Sequence, residues 1–116
     1  MKSLLILNDP PYGTERSYNG LRLAGALAKR PTEEVRVFLM GDSAACARSG
    51  QKVPQGYYNI ERMLQVVIQN RGEVGVCSGC MDARGLQDAD LVERARRSSL
   101  DELADWTVWA DHVLVF

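Results

Sequence analysis

The sequence predicts an α/β fold, a parallel sheet covered by helices on both faces. Three observations carry that reading. Short β-branched and leucine-rich runs alternate with longer segments of helical periodicity. The first run, Leu4 to Leu7, is apolar without a break, as suits a strand buried on both faces. The chain also finishes on such a run, Val113-Leu114-Val115-Phe116, directly after a helical segment.

Size and composition narrow the class. A chain of 116 residues suffices for one domain with one core. Its 46% hydrophobic and 25% charged content are ordinary globular values. A net charge of −1, with no basic face and no aromatic-basic motif, argues against nucleic acid as a partner. No apolar run approaches the ~20 residues of a membrane span. No basic segment followed by an apolar stretch opens the chain. A soluble, unexported protein is expected. Three cysteines, an odd number in a chain that needs no staples, fit reduced thiols in a cytoplasm better than a disulfide framework.

The elements follow in order. Lys2 to Asn8 is the first strand, and Asp9-Pro10-Pro11-Tyr12-Gly13 breaks it. Thr14 is placed to cap a helix running to about Lys29, whose Gly20, Ala24 and Gly25 permit close packing on a sheet. Val35 to Met40 is the second strand. Asp42 or Ser43 can cap a short helix from Ala44 to about Ser49, and Cys46 inside it reads as packing. A loop from Gln51 carries the adjacent Tyr57 and Tyr58. Asn59 then caps the clearest helix, with Ile60, Met63, Leu64, Val67 and Ile68 at i, i+3, i+4, i+7 and i+8, and Gly72 ends it.

Glu73 to Cys77 is the third strand. Leu86 to Arg97 reads either as a helix through Leu91, Val92 and Ala95 or as a fourth strand near Leu91 to Ala95. The charges Glu93, Arg94, Arg96 and Arg97 read as a solvated face. Ser99-Leu100-Asp101-Glu102 is a capping box, so a helix starts at Leu100. Its expected buried face is Leu100, Leu103, Thr107 and Ala110, with Trp106 at the edge and Trp109 available for a subunit contact. His112, the only histidine, reads as structural.

Parallel α/β sheets place their sites beyond the carboxyl ends of the strands. Three polar loops land there: Asn8 to Thr14, Gly41 to Ser43, and Cys77 to Arg84. The last carries Cys77 and Cys80 at C-x-x-C spacing, so a thiol stands at the exit of a rigid strand. A thiolate attacks or carries sulfur, and a nearby cation or N–H donors favour it. Arg84 and the turn Ser78-Gly79-Cys80 are the candidates, with an ion pair to Asp82 or another carboxylate as the competing role for Arg84. A structural zinc site asks for four Cys or His ligands, which this stretch does not supply. No phosphate loop and no serine nucleophile elbow is present. No metal or cofactor is expected.

Two thiol chemistries remain. Cys77 either accepts a sulfane sulfur as a persulfide and passes it on, or cycles with Cys80 between dithiol and disulfide. The two conflict. A persulfide on Cys77 within reach of Cys80 would be attacked, giving a disulfide and free sulfide.

The sequence also resembles the DsrE/DsrF-like family, which includes the TusD-type sulfur-relay subunits. The resemblance spans nearly the whole chain. It lies in Asn8 to Gly13, Leu21 to Ala24, Met40-Gly41-Asp42, Gly50 to Asn59, Cys77 to Gly85, Leu103 to Trp106 and Ala110 to Phe116. It implies a three-layer α/β/α sandwich around a mostly parallel five-stranded sheet. It further implies a small cytoplasmic protein that forms homo-oligomers, trimers or hexamers. In the sulfur-relay members a cysteine after the third strand takes up persulfide sulfur, and Cys77 matches it. Cys80 departs from the relay pattern, which has small apolar residues there. Sulfur donor and acceptor proteins are the implied partners, and the implied activity is that of a sulfurtransferase or persulfide carrier. The expected site is Cys77 and Cys80, with Tyr12, Glu15, Asp82 and Arg84 around them, and Tyr57, Tyr58 and Trp109 as interface residues. A redox or sensing protein, or an oligomeric module whose cysteines only pack, are the alternatives.

Overall fold

Strands Lys2–Leu7 (β1), Glu34–Leu39 (β2), Glu73–Cys77 (β3), Ala95–Ser98 (β4) and His112–Val115 (β5) form a single sheet. The computed structural model describes residues 1–116. Every strand pairing is parallel, and the order is β4-β3-β2-β1-β5. The chain therefore winds outward from β1 to β4, then returns to add β5 on the far side of β1. Right-handed crossovers put the helices of the outward path on one face and the returning helix on the other.

On the first face lie α1 (Arg16–Ala28), α2 (Ile60–Gln69) and the short α3 (Ser78–Ala83). They cover Leu5, Leu7, Val37, Leu39, Val74 and Val76, all at most 1% exposed. Contact between α1 and the sheet is close enough to demand glycine. A Cβ at Gly20 would sit 2.5 Å from Leu7 Cδ2. Asn59 caps α2 as expected, its Oδ1 accepting from the Arg62 N–H at 3.1 Å. The left-handed residue after α2 is Arg71 (φ 71°), one position before the anticipated Gly72.

Several expected boundaries move. Thr14 does not cap α1; its hydroxyl donates to Asp9 Oδ2, and Glu15 holds the cap position without a side-chain bond. The short helix after β2 is a 3-10 turn from Gly41 to Ala47. Ser43 caps nothing there, because it is buried and donates to the carbonyls of Leu7 and Met40. Leu91 and Val92 are buried but belong to neither a helix nor the fourth strand. That strand is Ala95-Arg96-Arg97-Ser98, with charges tolerated because β4 is an edge.

The second face carries only α4 (Leu100–Trp109). Leu103 and Trp106 pack there on Leu4 and Phe38. The Trp106 ring meets Phe38 edge-on, with centroids 6.1 Å apart. Trp106 is thus core rather than edge, whereas Leu100, in the first turn, is 75% exposed. Half of the expected capping box forms. Ser99 Oγ accepts from the Glu102 N–H, but the Glu102 carboxylate turns to Arg96 and Ser98 instead of the Ser99 backbone. Outside the strip covered by α4, Val113 and Val115 of β5 are 41% and 66% exposed, and Val108 of α4 is 88% exposed.

Candidate functional site

The carboxyl end of β3 is Cys77, and α3 starts at the next residue. The stretch expected as a loop is therefore a short helix capped by a cysteine. Cys77 Sγ accepts from the Cys80 N–H at 3.4 Å. Met81, fully buried, anchors the turn to the main core. A helix of six residues shows too little of a 3.6-residue stripe to be read from sequence.

The two thiols are neighbours. They are the cap and third residues of one turn, so their Cα atoms are roughly 5–6 Å apart, within the ~4.4–6.8 Å that a disulfide bridges. Both are free and partly exposed. Their surroundings differ. Cys77 packs on the small cluster that holds Phe38 and Trp106, whereas Cys80 packs on the main core. Cys80 Sγ also accepts from the Gly41 N–H, 3.1 Å away in the turn after β2. That turn needs glycine, because Gly41 is left-handed at φ 59°.

Burial pushes the Cys77 thiol above the ordinary cysteine range, and the Cys80 thiol beside it pushes further in the same direction. The N–H groups of Cys80 and Gly79 oppose this. At neutral pH Cys77 rests as a thiol. Cys46 stands apart, fully buried in the main core, and its thiol is pushed up to about 12 by desolvation.

No guanidinium has a hydrogen bond to either sulfur. Arg84, expected to favour the thiolate, donates to Asp42 Oδ1 at 2.7 and 3.2 Å and to the Cys80 carbonyl at 3.1 Å. Asp82 accepts from Arg97, not from Arg84. Arg97 is the residue that sequence reasoning missed. From β4 it donates to Ser78 Oγ at 2.7 Å, to Asp82 at 3.0 Å and to Asp88 at 2.7 Å. Its run of charges looked like a solvated face, and nothing local marks it as the clamp of the cysteine turn. Gly41 and Asp42 were legible as part of one of the three polar loops at this edge, with Asp42 also a candidate cap, but not as partners of Cys80 and Arg84.

The remaining expected residues gather elsewhere. Tyr12 donates to Gln51 Oε1 and accepts from the Ile60 N–H, and its ring stacks with Tyr58. Tyr57 and Tyr58 stack with centroids 4.5 Å apart. With Gly13, Thr14 and Glu15 they line a cavity of about 330 Å³. Trp109 lies under Arg36, 4.0 Å from the guanidinium, at the amino-terminal end of the sheet. The cavity beside Tyr57 and Tyr58 does not include the cysteines. No group of three or more His, Cys, Asp or Glu comes together in a way that could hold a metal ion.

Fold and site together define a small, all-parallel α/β protein with a thiol pair at the carboxyl edge of its sheet. The chain belongs to the DsrE/DsrF-like family, whose sequence profile matches residues 1–116. It is 39% identical to Protein YchN of Escherichia coli over 116 residues, covering 99% of this chain and 98% of that protein. It is 33% identical over 112 residues to the uncharacterized protein MK0008 of Methanopyrus kandleri, covering 97% and 91% of the two chains. The crystal structure of the Escherichia coli YchN protein superposes with a TM-score of 0.93, covering 99% of this chain and 98% of that one. A protein of unknown function from Methanobacterium thermoautotrophicum, MTH1491, shares the fold at 12% identity, with a TM-score of 0.75 and coverage of 99% and 97%. No helix is long and apolar enough to cross a membrane.

Proposed function

We propose that this protein handles sulfane sulfur in the cytoplasm, with Cys77 as the residue that accepts it as a persulfide. The observation that carries this reading is the position of Cys77. It is a partly exposed thiol held at the last residue of a buried parallel strand, with the Cys80 N–H of the following turn directed at its sulfur. Family membership supports the same chemistry. Cys46 is no competitor, because its sulfur is fully buried.

The thin cover of the second face supports an assembly of identical chains. Val113 and Val115 expose apolar surface on the edge strand β5, and Val108 exposes more on α4. A second copy of this chain is the occupant we assign to that surface.

The test uses Cys80→Ser, which leaves Cys77 as the partly exposed thiol. Exposed to glutathione persulfide and examined by intact-protein mass spectrometry, this variant gains one sulfur atom. The Cys77→Ser, Cys80→Ser double variant gains none. If both gain sulfur alike, or neither does, Cys77 is not the acceptor.

A further inference from the structure

We infer that Cys80 is a resolving thiol that attacks the Cys77 persulfide, so that the protein releases sulfide and is left with a Cys77–Cys80 disulfide. This rests on Cys77 being the acceptor. It goes further by assigning the second cysteine a chemical role and the reaction a product.

Geometry carries the inference. Cys77 and Cys80 share one helical turn, and the Cys80 N–H donates to Cys77 Sγ at 3.4 Å. When Cys77 carries a second sulfur, Cys77 Sγ becomes an electrophile on the same turn as Cys80 Sγ. Attack there forms a disulfide. Attack on the outer sulfur would only move the persulfide to Cys80. The Gly41 N–H, from a different element, fixes Cys80 Sγ at 3.1 Å. A donor so placed also suits the negative charge that the sulfur bears as it attacks. A carrier has no use for this arrangement, because a neighbouring thiol drains the cargo before an acceptor arrives.

The steps balance. The Cys77 thiolate attacks the outer sulfur of a persulfide R–S–SH. The new bond gives Cys77–S–SH, and RS⁻ leaves and takes up the proton of the Cys77 thiol. The Cys80 thiolate then attacks Cys77 Sγ, the S–S bond to the outer sulfur breaks, and HS⁻ leaves with the Cys80 proton as hydrogen sulfide. The sulfane sulfur is reduced by two electrons, and the two cysteines are oxidised to the disulfide. A second turnover needs a dithiol reductant, which restores both thiols through a mixed disulfide.

The experiment follows sulfide release, free thiols and protein mass after the intact protein is mixed with glutathione persulfide, without and then with dithiothreitol. Wild type is expected to release one equivalent of sulfide, lose two alkylatable thiols and retain no added sulfur. Dithiothreitol converts this burst into turnover, measured above the sulfide that dithiothreitol releases from the donor alone. Cys80→Ser keeps the added sulfur on Cys77 and loses the burst. If wild type instead holds a stable persulfide as Cys80→Ser does, the resolving role is overturned while the acceptor role stands. If Cys77→Ser alone takes up sulfur, on Cys80, the assigned order is overturned. If no form takes up sulfur, both readings fall.

Discussion

Arg97 Nη1 lies 2.7 Å from Ser78 Oγ, so the edge strand β4 grips the first residue of the turn that carries both cysteines. The same guanidinium holds Asp82 and Asp88. The cysteine turn is therefore clamped from a strand that follows it in sequence, as well as by Arg84 of its own stretch. Arg97→Ala should leave the global fold intact and raise amide hydrogen exchange across Ser78 to Ala83. Arg97→Lys, which keeps the charge but loses the fork, should fall between the two. Unchanged exchange in α3 would show that the clamp is dispensable.

Cys77 should be slow to alkylate near neutrality. Its thiol is raised above the ordinary value of 9.0, first by burial and then by Cys80, so the reactive thiolate appears only at alkaline pH. In the pH profile of iodoacetamide labelling, read at Cys77 by peptide mass spectrometry, the midpoint should lie above 9.0. Cys80→Ala removes the second of these causes and should move the midpoint downward without abolishing the burial effect. A wild-type midpoint at or below 9.0 contradicts this.

Cys46 predicts an alkaline weakness. Its folded value of about 12 exceeds its ordinary value of 9.0, so between those pH values the native chain binds more protons than the unfolded one. Its contribution is fully present below pH 9.0 and is lost as pH rises toward about 12. The slope is on the order of 1 kcal/mol per pH unit. Urea denaturation across that range should show a shallower decline in Cys46→Ala than in wild type.

The second face should be sensitive to loss of one ring. Trp106 supplies most of the apolar mass of α4, packed on Phe38 and Leu4. Trp106→Ala should cost about 3–5 kcal/mol, measured by chemical denaturation. Leu100→Ala, at a residue 75% exposed, should change stability little.

The assembly reading is tested at the same face. Val108→Glu and Val115→Glu place charge on residues that are 88% and 66% exposed in the single chain. Each should lower the sedimenting mass while leaving the far-ultraviolet circular dichroism unchanged. Wild type that sediments as a monomer at micromolar concentration would remove the reading.

Element type was legible wherever periodicity was long. β1 was plain from a continuous apolar run, β2 and β3 from short β-branched runs, and α2 from a stripe held from Ile60 to Ile68 and an Asn cap. β4 was not, because an edge strand can carry Arg96 and Arg97, while the apolar Leu91 and Val92 nearby are buried outside any strand. The buried face of α4 was misplaced by favouring Leu100, although Trp106 had far more surface to hide. At the candidate site, the end of the third strand at Cys77 was legible from sequence alone. The partners of the turn, Gly41, Asp42 and Arg97, come from other elements, and only the folded sheet brings them there.

Cys77 packs on the cluster that holds Trp106, whereas Cys80 packs on the other core. One consequence is optical. Indole emission is quenched by electron transfer to a nearby disulfide, and Trp106 lies in the cluster that would feel a change at Cys77. Oxidation should therefore dim the intrinsic fluorescence, and reduction should restore it. Trp109→Phe leaves Trp106 as the only indole, so a label-free signal would follow the chemical state of the pair in real time.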